Sequence, residues 1–129
     1  MKHSNISLLE KIYSDLAQGN LNGVLTSCDP GITFQVPGKS RLSGKYDYHT
    51  VAAGFFEKQH TYAQGTYKLE VHDMLSSDLH ATVLASASLM KDGKKVEYRT
   101  VHVWRFMNGK PVAWYEYPRD LYQFDLVWG

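Results

Sequence analysis

A single cysteine, Cys28, is all the thiol chemistry the chain carries. It cannot form an intrachain disulfide, which excludes a disulfide scaffold and fits a reducing cytoplasm. At the end of a short helical stretch it reads as a small core residue rather than a nucleophile, because no base can be assigned to it. No apolar run approaches the ~20 residues of a membrane span, and the opening MKHSNISLLEKIYSDL has no apolar stretch of signal-peptide length. Membrane insertion and secretion by that route are therefore not expected. Charge of one sign is equally scarce: 14 Lys and Arg against 13 Asp and Glu leave a formal net charge of +1. The densest basic run, KDGKK from Lys91 to Lys95, has the form of a solvated turn, so no footprint for nucleic acid or an anionic membrane is present. His72 and His80 flank the turn DMLSSD as exposed or half-buried strand residues. No HExxH or other short paired spacing points to a metal. The serines of ASAS, Ala85 to Ser88, lack a nucleophile elbow.

What is present suits one globular unit. At 129 residues the chain supports a single domain, 1–129, and its 43% apolar and 21% charged residues are ordinary globular values. The 13% aromatic content is high enough to suggest a lined cavity or a large interface.

Helices come first. SLLE, from Ser7 to Glu10, has the form of a capping box and predicts a helix start, followed by Leu8, Leu9, Ile12, Tyr13 and Leu16 at helical spacing. Gly19 stops this run, and Asn20 offers a cap for a shorter helix through Leu25. ITFQV alternates Ile32, Phe34 and Val36 against Thr33 and Gln35, which reads as a strand ending at Pro37 and Gly38. YDYHTVAAGFFEKQ then predicts a helix with Val51, Ala52, Phe55 and Phe56 on one face, and its Gly54 suggests close packing, since Gly costs a helix ~1 kcal/mol against Ala. From Thr66 onward four strands are predicted, with Asp92-Gly93 and Asn108-Gly109 as hairpin turns. RDLYQFDLVW closes the chain as a short amphipathic helix. The order is α+β, with helices covering one face of a curved antiparallel sheet.

Two stretches, QGNLNGVLTSCDPGITFQVPGKSRLSGKYDYHTVAAGFF from Gln18 to Phe56 and HVWRFMNGKPVAWYEYPRDLYQFDLVWG from His102 to Gly129, carry a family likeness. In order and spacing they resemble the SnoaL-like polyketide cyclases and ketosteroid isomerases of the nuclear-transport-factor-like, cystatin-like superfamily. The resemblance implies a cone-shaped curved sheet wrapped by N-terminal helices, a deep apolar pocket, and a homodimer formed through sheet faces. It also implies site residues. SnoaL-like cyclases place an acid on the last strand and a His on the strand before it, the positions of Glu116 and His102 here. Where a ketosteroid isomerase has its general-base Asp this chain has Val36, and where it has its oxyanion-hole acid this chain has His102. The isomerase Tyr of the first helix falls near Ile12, one position from Tyr13. Cyclases, isomerases, hydrolases, dehydratases and binding modules share this scaffold, so the likeness speaks to fold before function.

Whether Glu116 faces the interior depends on one hairpin. A three-residue loop at Met107-Asn108-Gly109 pairs Phe106 with Lys110 and His102 with Trp114, which gathers Tyr98, Thr100, His102, Trp104, Phe106, Val112, Trp114 and Glu116 on one face. The opposite face then carries Glu97, Arg99, Val101, Val103, Arg105, Ala113, Tyr115 and Tyr117. A two-residue loop sets Glu116 opposite Val101 and sends His102 to the other side. The first register segregates the faces better and is the one expected here, with Glu116 diagonal to His102 at about 7–8 Å between Cα atoms. An acid between Tyr115 and Tyr117 also suits the solvent face of an alternating strand, and that reading stays open beside the first.

The candidate catalytic pair is thus Glu116 and His102, a carboxyl and an imidazole suited to proton transfer near neutral pH. Tyr13, Phe34, Val36, Phe55, Tyr98, Trp104 and Trp114 are the candidates to line a site for a small apolar ligand, although ordinary core packing accounts for the same residues. Two functions fit: acid–base chemistry of cyclase, isomerase or dehydratase type on a small apolar carbonyl compound, without metal or organic cofactor, or a hydrophobic-ligand-binding module with no turnover.

Overall fold

A computed structural model describes residues 2–129. Helices α1 (Ser4–Ala17) and α2 (Leu21–Thr26) precede strands β1 (Thr33–Val36) and β2 (Gly44–Asp47). A π-helical turn, Ala52–Phe56, runs into α3 (Glu57–Tyr62). Strands β3 (Lys68–Ser76), β4 (His80–Lys91), β5 (Lys94–Met107) and β6 (Lys110–Pro118) follow, and α4 (Leu121–Trp128) ends the chain. The six strands form one sheet in the order β2-β1-β6-β5-β4-β3. The expected antiparallel sheet is corrected at one seam, because β1 lies parallel to β6 while every other pair is antiparallel. The seam joins a strand near the start of the chain to the last one, so the long meander and the N-terminal elements share one core.

α1 begins three residues before the SLLE box. The His3 ring accepts the Asn5 amide through Nδ1 at 3.0 Å, and its Nε2 meets Asp78 at 2.8 Å. The Asn5 side chain also donates to the carbonyls of Ser77 and Asp78. The β3–β4 turn therefore fixes where the helix starts, a tertiary cap that local spacing does not reveal. Leu9 and Ile12 are fully buried beneath it. α2 starts as expected, with Asn20 accepting from the Gly23 amide at 3.1 Å. β2 was not expected. Its GKYD sequence is mostly exposed and lacks apolar alternation, so the predicted helix begins later, at the π-helical turn. Gly54 does mark a close approach: a Cβ there would meet the Tyr46 ring at 2.9 Å.

α4 closes one end of the molecule, burying Phe124, Val127 and Trp128. Its Asp125 accepts the Lys39 amide at 3.0 Å, and Gly38 passes so close that a Cβ would stand 2.1 Å from the same carboxylate oxygen, at a φ of +92. Gly38→Ala combines left-handed strain with a clash, and we expect it to lower stability by about 2–4 kcal/mol, read as a fall in urea midpoint at unchanged slope.

Candidate functional site

The hairpin joining β5 and β6 settles where Glu116 points. Met107 pairs with Lys110 across a two-residue turn in which Asn108 and Gly109 both have positive φ, 52 and 77. These values suit a type I′ turn. The expected three-residue loop is corrected, and so is its pairing of His102 with Trp114. Continued unbroken, the two-residue register would set Glu116 against Val101. Instead the register shifts between Arg105 and Phe106: Phe106 pairs with Pro111, Arg105 with Ala113, and His102 directly with Glu116. The extra residue, Val112, is a β-bulge. Pro111 supplies the cause, since it has no N–H for the ladder, and its carbonyl accepts the Asp29 amide at 3.0 Å. The bulge returns β6 to the inward face, where Trp114 and Glu116 are buried, while Tyr115 and Tyr117 stay on the other side.

Around Glu116 the polar side chains form a directed chain. The Trp104 indole, a donor only, donates to the Tyr13 hydroxyl at 3.1 Å. That leaves the phenolic proton to be donated to His102 Nδ1 at 2.6 Å. The imidazole proton is then assigned to Nε2, which donates to Glu116 Oε2 at 3.2 Å. Thr100 donates to the same oxygen at 2.5 Å. Glu116 is 4% exposed and His102 5%, so the pair lies in the interior rather than on a solvent face. The Tyr13 hydroxyl keeps its proton far above its ordinary range because it is buried; the Trp104 hydrogen bond opposes this in part, and the negative charge of Glu116 adds a smaller push upward.

The candidate lining residues divide into three groups. Tyr13, Trp104 and Trp114 surround His102, with the Tyr13 and His102 rings stacked at 5.8 Å and Trp114 edge-on to the imidazole at 4.9 Å. Phe34 and Phe55 join through Trp114, at 5.9 and 5.5 Å between centroids. Tyr98 lies apart from these, among Phe124 and Trp128 of α4, and accepts from the Trp128 indole at 3.1 Å. Val36 is buried at the end of β1. There β6 runs on past its last β1 partner, Gln35 with Tyr115, and a crevice of about 320 Å³ opens among Val36, Pro37, Lys45, Tyr115, Glu116 and Tyr117. One residue of this network was not singled out for the site from the sequence, Thr100. Thr100 was legible as a member of the inward face, but not as the hydroxyl that holds the carboxylate.

His72 and His80 are exposed, His72 bonded to the Ser86 hydroxyl at 2.7 Å. Among the described residues no three His, Cys, Asp or Glu side chains stand together to hold a metal ion. Cys28 is buried, and that burial pushes its thiol up to about 12.

Residues 9–114 match the SnoaL-like domain. The chain belongs to the SnoaL-like domain family. The matched segment contains Tyr13 and His102 and stops two residues short of Glu116. Solved structures share the SnoaL-like chain's fold along nearly its whole length. Bal32a, from a soil-derived mobile gene cassette, superposes with a TM-score of 0.89 at 22% identity, covering 98% of this chain and 97% of its own. A cystatin-like protein of unknown function from Xanthomonas campestris gives 0.85 at 20%, covering 97% and 98%. TerC, co-crystallised with polyporic acid, gives 0.82 at 17%, again covering 97% and 98%. At these identities the likeness is one of fold. No curated protein matches the chain. No described helix is long and apolar enough to cross a membrane.

Proposed function

We propose that the chain binds a small apolar carbonyl compound beside Glu116 and performs cofactor-independent acid–base chemistry on it, of isomerase, cyclase or dehydratase type. Membership of the SnoaL-like family supports the coarser part of this reading, a small-molecule-binding or cofactor-independent enzyme. The observation that carries the finer part is the buried chain from Trp104 through Tyr13 and His102 to Glu116 Oε2. A carboxyl group oriented by an imidazole and a hydroxyl can take a proton from the carbon next to a carbonyl. The C–H bond breaks, an O–H bond forms on Glu116, and the electron pair moves to the carbonyl oxygen as an enolate. Returning that proton to a different atom isomerises the compound; where the molecule carries a second carbonyl, attack of the enolate carbon on it forms the ring C–C bond, breaks that C=O π bond, and leaves an alkoxide that takes the proton back from Glu116. His102 and Tyr13 hold the carboxyl group in place.

The test needs no knowledge of the natural substrate. The protein should exchange the α-hydrogens of 1-indanone, 1-tetralone or cyclohexanone with deuterium from D₂O faster than buffer, followed by NMR. Binding without exchange in any of the three favours the second reading, a ligand-binding module, to which Val36 at the isomerase base's position also points.

We further propose a homodimer. Across the outward sheet face Leu84, Val101 and Tyr117 pair in one row, and Thr82, Val103 and Tyr115 in the next. Leu84 is 38% exposed and Tyr117 56%, an apolar patch that a second copy of the chain would cover by two-fold symmetry. Light scattering should give twice the 14.7 kDa chain mass at micromolar concentration, and Tyr117→Lys should halve it. A monomer mass for the unaltered chain would end this proposal.

A further inference from the structure

The Glu116 carboxylate has two oxygens, and only one is engaged. Oε2 accepts from both Thr100 and His102, while Oε1 has no hydrogen-bond partner among the described residues. Every fully enclosed side-chain nitrogen or oxygen among the described residues does have a partner. Oε1, although on a residue 4% exposed, therefore adjoins open space, and the cavity that Glu116 lines is the crevice at the end of β1.

Register fixes the walls of that crevice. Gln35 pairs with Lys45 on one side and with Tyr115 on the other, so these three side chains share the outward face of the sheet. Val36 and Glu116, each one residue further along its strand, project inward and are buried. β1 ends at Val36 while β6 continues to Pro118, and the crevice between them is walled by residues of both faces. Gly44, paired with Val36, brings no side chain to it, and a Cβ there would find nothing nearer than the Tyr46 hydroxyl at 3.8 Å. The Tyr115 and Tyr117 rings, 6.4 Å apart, supply an apolar flank.

Charge in this crevice is divided between its two ends. Of the residues that line it, Lys45 is the one cation and Glu116 the one acid. Lys45 is exposed and makes no ion pair among the described residues. The next acid along its strand, Asp47, is committed to the amides of His49 and Thr50 at 2.9 and 3.0 Å. Two strand spacings, about 9–10 Å, separate the Lys45 and Tyr115 Cα atoms. An anionic group is repelled from the Glu116 end and attracted to the Lys45 end.

We propose that the crevice is the ligand's way to Glu116 Oε1 and that Lys45, at its outer end, selects a carbonyl compound that also carries a carboxylate. The ligand class is thereby a keto acid with a compact apolar body between its two polar ends. This rests on the proposed function for the reacting group but not for the binding of the acid. Lys45 and Gln35 lie on the other side of β6 from Leu84 and Val101 of the proposed dimer patch.

The experiment compares cyclohexanone with 4-oxocyclohexanecarboxylate, the same ring with an acid opposite its carbonyl, by titration into the full chain. The unaltered protein should bind the keto acid ~3- to 10-fold more tightly, between the worth of an exposed ion pair and that of a charge-assisted hydrogen bond. Raising salt from ~0.05 to ~0.5 M should shrink that preference. Lys45→Met should remove it, Lys45→Glu should reverse it, and Lys45→Arg should keep it, all with cyclohexanone affinity within about twofold of the unaltered chain's. In NMR spectra the keto acid should shift the backbone amides of Gln35, Gly44, Lys45, Tyr115 and Tyr117. Shifts at Arg99, Arg119 and Gln123 instead would place the acid in the cavity that those residues line and overturn the proposal. If α-hydrogen exchange is absent but the Lys45-dependent preference is present, the acid–base reading fails and the crevice assignment stands. If exchange is present but Lys45→Glu leaves the preference unmoved, the assignment of Lys45 fails alone. Binding of the keto acid no tighter than that of cyclohexanone, or no binding of either, overturns it as well.

Discussion

Glu116→Gln should leave the fold and ketone affinity close to those of the unaltered protein while slowing α-hydrogen exchange by ~10²- to 10⁴-fold, the usual scale of general acid–base catalysis. The amide oxygen can accept from Thr100 and His102 as Oε2 does, so the network that orients the side chain survives the change. What is lost is the ability to carry a proton. His102→Ala should cost less in rate than Glu116→Gln, but it opens a cavity against Trp114 and removes the acceptor of the Tyr13 proton. If the two side chains act as a unit, the double variant should cost much less than the sum of the single changes. Additive effects would mean that the two side chains act independently, and an exchange rate unmoved by Glu116→Gln would remove Glu116 from the chemistry whatever its position.

That position was half legible. Alternation along VHVWRF and AWYEY separates an inward aromatic face holding one acid and one imidazole from an outward face of charge and aliphatics, and the structure has these faces. The pairing between them was not legible, because loop length fixes register only for an unbroken ladder. Here a two-residue turn and a bulge at Val112 add to the separation that a longer loop would have approximated. Pro111 was the available signal: a proline one residue into a strand, unable to donate, is a place to expect a bulge. The start of α1 was misplaced because its cap comes from His3 and the β3–β4 turn, 75 residues away along the chain in the case of Asp78. β2 was missed because an exposed edge strand has no buried side to set a period. Tyr67 escaped notice for a related reason. It sits between elements, outside any periodic segment, and its ring meets Trp128 of α4, the same indole that packs on Tyr98.

The same buried phenols lead to the other large effect, a steep loss of stability in alkali. Burial first, and the Glu116 charge with it, raises the pKa of Tyr13, Tyr67 and Tyr98 far above the ordinary value of 10.0. Burial likewise lifts Cys28 from 9.0 to about 12. In the unfolded chain these groups lose their protons as pH passes ~9 to 10, whereas in the folded chain they retain them. Unfolding therefore releases protons at high pH, so the stability these groups provide is complete below pH ~9 and is lost progressively as pH rises toward the folded values. Each contributes a slope of about 1.4 kcal/mol per pH unit once its unfolded form is ionised. Three tyrosines over two units then amount to about 8 kcal/mol, comparable with the whole stability of a domain of this size. The urea midpoint should accordingly be flat from pH ~7 to ~9 and collapse by pH ~12, with the phenolate absorbance of these tyrosines appearing only as the chain unfolds. Tyr67→Phe should make the decline shallower by about one group's slope. Glu116→Gln should leave the onset where it is, since the unfolded chain sets it, and end the decline at a lower pH, because the charge that helps hold the three protons in the folded chain is gone. A midpoint that stays level to pH ~12, or phenolate absorbance before unfolding in excess of what the exposed tyrosines such as Tyr117 and Tyr122 supply, would mean that these three hydroxyls are open to solvent.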